Sequence, residues 1–177
     1  MISLNYFQVI ISNNSILSIK MAEEYLRDEL DRIKKNQLLT HIGCSVGPKK
    51  KTNIFNWNVL LKGPNNSCYE KGLFKLTMQF PKNYPDEPPN IKFETKIYHP
   101  NISFDDGAIC ISSKSTEWEQ HRNLVTVIYS IFDLLKEPNT NHGLNNEALL
   151  LYKNNKKEFE KKAKELTEKN ALKLINS

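Results

Sequence analysis

Leu73-Phe74-Lys75-Leu76-Thr77-Met78-Gln79-Phe80 alternates throughout, with Phe74, Leu76, Met78 and Phe80 set against Lys75, Thr77 and Gln79. A period of two with one apolar face predicts a strand half-buried on a core. Pro81-Lys82-Asn83-Tyr84-Pro85-Asp86-Glu87-Pro88-Pro89 follows directly. Proline offers no N–H to a ladder and breaks a helix, so this segment predicts a rigid connector. A half-buried strand running into a stiff connector needs partner strands on its edges and helices over its apolar face.

Those partners can be read outward from it. Asn53–Lys62, with Ile54, Phe55, Trp57, Val59, Leu60 and Leu61, predicts a strand closed by Gly63-Pro64-Asn65-Asn66. His41–Gly47 places Ile42, Cys44 and Val46 on one face and is ended by Gly47-Pro48. The Lys49-Lys50-Lys51 run then predicts an exposed hairpin tip. Tyr25, Leu26, Leu30 and Ile33 recur at helical spacing over 22–36. On the other side, Ile91-Lys92-Phe93 predicts a short fourth strand. Leu124–Leu135 reads as a largely buried helix and Asn145–Asn154 as a shorter one. Lys156–Leu174 reads as an amphipathic helix with Phe159, Ala163 and Leu166 on one stripe. The order predicts an α+β fold: an N-terminal helix, a four-stranded antiparallel meander, an irregular loop, then C-terminal helices.

Composition narrows the function. The chain has 177 residues, within the size of one domain with its own core. Its net charge of +5 comes from scattered lysines without an interleaved basic and aromatic cluster, which argues against a nucleic-acid face. Three cysteines, an odd number without a Cys-x-x-Cys pair, argue against a disulfide framework or a structural zinc site. Reduced thiols fit an intracellular setting, so the cytoplasm, the nucleus or both are expected. Met1–Lys20 mixes apolar residues with asparagine and serine, has no basic start, and is too short and polar to span a membrane. Residues 1–20 are therefore read as a flexible or partner-binding extension and 21–173 as the core domain.

Between Thr95 and Trp118 no periodicity holds, and irregular stretches of that length inside a domain are usually functional. This one carries Tyr98-His99-Pro100-Asn101, then Gly107-Ala108-Ile109-Cys110, with Trp118 and Glu137-Pro138-Asn139 beyond it. A cysteine a short loop after His-Pro-Asn points to a thiol that carries an acyl group as a thioester. Cys44 is read as buried filler on a strand, and Cys68 as a loop cysteine without a neighbouring base.

These motifs, with Tyr69-Glu70-Lys71-Gly72-Leu73-Phe74 and the Tyr84-Pro85-x-x-Pro88-Pro89 connector, occur in an order that resembles the ubiquitin-conjugating enzymes from about Met21 to Ala171. The resemblance implies that Cys110 is the nucleophile. It would accept the C-terminal glycyl group of ubiquitin from an activating enzyme and pass it to a ligase cysteine or a substrate lysine. It implies that Asn101 either donates to the developing oxyanion or braces the active-site loop. His99 and Pro100 would fix the turn that presents Asn101, and Trp118 would anchor the loop by packing. The expected partners are ubiquitin or a ubiquitin-like modifier, the activating enzyme, a ligase and protein substrates, with no nucleic acid and no membrane. The chain is expected to be a monomer. No cofactor or metal is expected, because ATP is consumed by the activating enzyme.

Four departures from the family pattern qualify this. The stretch Asn101–Cys110 is one residue longer than usual, at Ser103-Phe104-Asp105-Asp106, so a bulge is expected there. Ile111-Ser112-Ser113-Lys114 is more polar than the common Leu-Asp-Ile-Leu type. His142 stands where many lysine-directed members carry aspartate, and Ser112 removes a second acidic helper. His142 is thus a candidate base or gate, and faster discharge to cysteine than to lysine is expected. Asp86 and Glu119-Gln120 replace the aromatic and Ser-Pro or Lys-Pro of the family's ligase-docking surface, which favours a dedicated partner or one with a basic groove. Two alternatives remain: conjugation of a ubiquitin-like modifier of the Nedd type, and a weakly active or non-catalytic scaffold.

Overall fold

The computed structural model describes residues 2–109, 118 and 123–173, with side chains from residue 15 onward. Helix α1 runs Ile2–Lys35. Ala22, Leu26, Leu30 and Ile33 are buried at intervals of three and four, which lays one face on the core. The helix starts at Ile2 rather than near 22, so the residues read as an extension are helical and continuous with α1. The stretch holds neither glycine nor proline, so no breaker marks the expected boundary. Ile16, Leu17 and Met21 are exposed, and from residue 15 onward Ala22 is the first buried residue.

A 3-10 turn at Thr40–Ile42 leads into the sheet. Strands β1 (Cys44–Lys50), β2 (Asn53–Lys62), β3 (Gly72–Gln79) and β4 (Asn90–Phe93) form an antiparallel meander in chain order. The predicted first strand over His41–Gly47 is displaced: His41 and Ile42 belong to the turn, and the strand runs on through Pro48 to Lys50. β1 lies at the edge of the sheet, where proline's missing N–H leaves no ladder partner wanting. The register shifts between Pro48 and Lys50, and the hairpin tip is Lys51-Thr52.

The alternation in β3 appears as burial: Phe74, Leu76 and Met78 face inward between half-buried Lys75 and Thr77. Trp57, Val59 and Leu61 of β2 and Ile91 and Phe93 of β4 complete the inner face. Helix α2 (Leu124–Lys136) contributes Leu124, Ile128, Ile131 and Leu135 to the same core. Helices α3 (Asn146–Asn154) and α4 (Lys156–Asn170) follow. On α4 the buried stripe is Phe159, Ala163 and Thr167, with Leu166 half-buried beside it. The Thr167 hydroxyl donates to the Ala163 carbonyl at 2.8 Å, which lets a polar residue occupy that buried position. α4 stops four residues before the predicted end. Leu172–Lys173 (β5) pairs with Gly72 and Leu73 of β3, so the sheet gains a fifth, two-residue strand beyond the four expected.

Candidate active site

The Tyr98–Ile102 segment is fixed from both sides. His99 is fully buried. Its Nδ1 accepts the Asn101 N–H at 3.0 Å, which leaves the proton on Nε2 to donate to the Leu134 carbonyl of α2 at 2.9 Å. Burial pushes its pKa down to about 4, so the ring is neutral near pH 7 and clamps the loop to α2. The Tyr69 hydroxyl donates to the Tyr98 carbonyl at 2.7 Å and holds the preceding residue.

Asn101 is also fully buried, and its whole amide is engaged. Nδ2 donates to the Asn139 carbonyl at 2.8 Å and to the His142 carbonyl, and Oδ1 accepts the Asn139 N–H at 2.9 Å. The Pro100 carbonyl accepts the N–H groups of Leu144 and Asn145 at 2.9 and 3.0 Å. Asn139 Oδ1 in turn accepts the Asn141 N–H at 2.8 Å, which tightens the facing turn. The His-Pro-Asn segment and residues 139–145 are thus stitched together along their length. His142 enters this arrangement through its backbone carbonyl, and the residue is exposed.

The four residues singled out for extra length resolve into a turn at Phe104–Asp106. Ser103 N–H donates to the Ala108 carbonyl at 2.8 Å and Gly107 N–H to the Ser103 carbonyl at 3.0 Å, so the loop closes on itself. Gly107 has φ +70, and a Cβ there would lie 1.9 Å from the Phe93 carbonyl oxygen, so only glycine fits. Asp106 is held well below the usual carboxylate range by the Lys92 ammonium at 2.6 Å, then by Ser103 and the Ala108 N–H. Ala108 bridges to Lys92 and Ile109 to Ile102. The chain therefore reaches Cys110 from a residue bridged to the neighbour of Asn101. Cys110, Ser112 and Glu119-Gln120 lie outside the described residues.

Trp118 is buried, as expected of an anchor. Its indole N–H donates to the Pro85 carbonyl at 2.9 Å and its ring lies 5.7 Å from that of Tyr84. The proline-rich connector therefore serves as the shelf on which Trp118 rests. Burial pushes the Cys44 thiol up to about 12 and the Cys68 thiol up to about 11, which makes both poor thiolates at neutral pH. Among the described residues no group of three or more His, Cys, Asp or Glu is placed to hold a metal ion. No described helix is long and apolar enough to cross a membrane.

Sequence reasoning missed Glu29. This carboxylate is 2% exposed and accepts hydrogen bonds from Tyr84 and Leu124. The signal was present: Glu29 falls among Leu26, Leu30 and Ile33, on the face of α1 that must be apolar.

The chain can now be set beside known proteins. The family profile described as Ubiquitin-conjugating enzyme matches residues 25–167. The chain is 38% identical over 127 residues to ubiquitin-conjugating enzyme E2 2 of Fusarium solani, covering 72% of this chain and 83% of that one. It is 36% identical over 126 residues to ubiquitin-conjugating enzyme E2 1 of Caenorhabditis elegans, covering 71% of this chain and 65% of the other. Among solved structures, the E2 domain of a Toxoplasma gondii ubiquitin conjugating enzyme superposes with a TM-score of 0.74 at 33% identity, covering 84% of this chain and 98% of that one. A helix, an antiparallel meander, a stitched His-Pro-Asn loop and a family match over most of its length lead to one conclusion: the chain belongs to the ubiquitin-conjugating enzyme family.

Proposed function

We propose that Cys110 receives activated ubiquitin as a thioester and passes it to a ligase cysteine or a substrate lysine. The Cys110 thiolate attacks the glycyl carbonyl held on the activating enzyme, a new S–C bond forms, and the activating enzyme's thiolate leaves. In discharge an incoming thiolate, or an amine that gives up its proton to the departing thiolate or to water, attacks the same carbonyl and the Cys110 S–C bond breaks. The observation that carries this reading is the stitched loop, in which His99, Pro100 and Asn101 hold residues 139–145 while Ile109 bridges to Ile102 beside Asn101. Asn101 acts as the brace of that loop, because both of its N–H groups and its oxygen already have partners. ATP is consumed upstream, so the chain needs no cofactor of its own. The unpaired thiols of Cys44 and Cys68 support a cytoplasmic or nuclear setting, in which the chain works as a monomer.

His142 and Ser112 replace the acidic helpers of lysine-directed members. The exposure of His142 leaves it accessible as a base or gate, and discharge to cysteine is the favoured outcome. The ligase follows from Asp86, an exposed acid on the connector, which favours a dedicated partner or one with a basic groove. Incubation with activating enzyme, ATP and each modifier, followed by a non-reducing gel, tests the reading. A thiol-sensitive adduct with ubiquitin that is lost in Cys110→Ala supports it. An adduct with a Nedd-type modifier alone would replace ubiquitin, and no adduct with any modifier would leave a scaffold.

A further inference from the structure

One buried side chain of α1 accepts two hydrogen bonds, one from the proline-rich connector and one from the start of α2. Glu29 Oε2 accepts the Tyr84 hydroxyl at 2.7 Å and Oε1 accepts the Leu124 N–H at 2.9 Å. Arg32, nearly one turn further along α1, approaches Oε1 at 3.6 Å from a half-exposed side chain. A buried carboxylate is costly to desolvate unless it is bonded, and an apolar residue would serve the packing of α1 at least as well. The reason for an acid here lies in what it holds.

Both bonds lead to groups that hold Trp118 or open α2. Tyr84 precedes Pro85, whose carbonyl receives the Trp118 indole N–H, and its ring lies against Trp118. Burial and then the adjacent Glu29 carboxylate hold the Tyr84 phenol well above its ordinary pKa, so it remains a donor. Leu124 is the first residue of α2, whose opening N–H groups have no partner within the helix. Asn123 accepts the Val125 N–H at 2.9 Å, and Glu29 takes the Leu124 N–H. One carboxylate thus ties α1 to the shelf under Trp118 and to the point where the chain re-enters helix.

We infer that Glu29 is a positioning residue for the Cys110 loop, setting the rate of acyl transfer through the placement of Trp118 and of the α2 start. The inference rests on the reading of Cys110 as the acyl-carrying nucleophile. Glu29→Gln keeps the volume but presents one oxygen to two donors. Tyr84 can turn its hydroxyl round and Leu124 cannot turn its N–H, so the Tyr84 link is the one that weakens. Tyr84→Phe removes that link from the other end and leaves the Leu124 bond intact.

The test uses the full chain as wild type, Glu29→Gln, Tyr84→Phe, the double variant, and Ile33→Val as a small core change on the same helix. Three quantities are followed: thioester formation against the concentration of charged activating enzyme, hydrogen exchange of the Trp118 indole N–H by NMR, and iodoacetamide alkylation of Cys110 located by mass spectrometry. Glu29→Gln and Tyr84→Phe should each lower the maximal loading rate about tenfold, with half-saturation held within about twofold. Each should speed indole exchange about tenfold and change the alkylation rate, the double variant should be no worse than either, and Ile33→Val should do none of these. Wild-type rates in both single variants, or an equal loss in Ile33→Val, would overturn the inference. If Glu29→Gln does not fold, Tyr84→Phe alone decides. If wild type forms no thioester, the reading of Cys110 fails, while exchange and alkylation still decide whether Glu29 holds the loop.

Discussion

Asn101 uses its entire amide on the chain that faces it, and this sets what its removal should do. Asn101→Ala leaves the Asn139 N–H and the carbonyls of Asn139 and His142 without their partner. Buried groups left in this way cost about 1–3 kcal/mol each, with some recovered by water, so a loss of about 3 kcal/mol is expected in urea unfolding. A residue that served only as an oxyanion donor would instead lower the rate by about two to three powers of ten and leave unfolding unchanged. Gly107 makes a second prediction at this scale. Gly107→Ala must relieve both a φ of +70 and a Cβ 1.9 Å from the Phe93 oxygen, whereas a Cβ at Gly47 would meet nothing within 4 Å. Gly107→Ala should cost about 2 kcal/mol or more and Gly47→Ala almost nothing, compared by thermal unfolding. The role of His99 as a turn-fixer was legible from the motif that holds it. Its partner Leu134 was not, because a contact 35 residues away to a backbone carbonyl leaves no mark on side-chain pattern.

Elements whose two faces differ were the most legible. β3 alternates because one side meets the core and the other solvent, and its bounds differ from the reading by one residue at each end. The first strand slipped because Ile42 is buried in the 3-10 turn, so an apolar residue before the strand extended the apparent alternation. α1 was read short because Ile16, Leu17 and Met21 are exposed, so the apolar face that a core imposes is legible only from Ala22 onward. β5 was unreadable: two exposed residues carry no period at all. Helix starts were clearer in chemistry than in pattern, since Asn123, Asn145 and Asn155 each cap a helix through a side-chain oxygen. Asn123→Ala should cost about 1 kcal/mol. Because Leu124 beside it is held by Glu29, α2 should keep its start, and circular dichroism should show native helix content in the destabilised variant.

At the scale of the whole molecule, the sheet and α2 enclose one core, and the His99 ring is buried within it as the link between the loop and α2. This gives stability a pH dependence whose sign can be worked out. The folded pKa of His99 is lowered to about 4, while the unfolded value stays near 6.5. Between these values the unfolded chain binds the proton and the folded chain does not, so unfolding gains from each step down in pH. The contribution is fully present above about pH 6.5, is lost as pH falls towards about 4, and changes no further below that. A shift of this size corresponds to about 3 kcal/mol, an upper figure for a group that water can reach on partial opening. His99→Gln retains an oxygen for the Asn101 N–H and an N–H for the Leu134 carbonyl but cannot titrate. Its free energy of unfolding in urea should start below that of wild type at pH 7. The difference should shrink steadily at pH 6, 5 and 4.5, whereas parallel curves would mean that His99 titrates alike in both states.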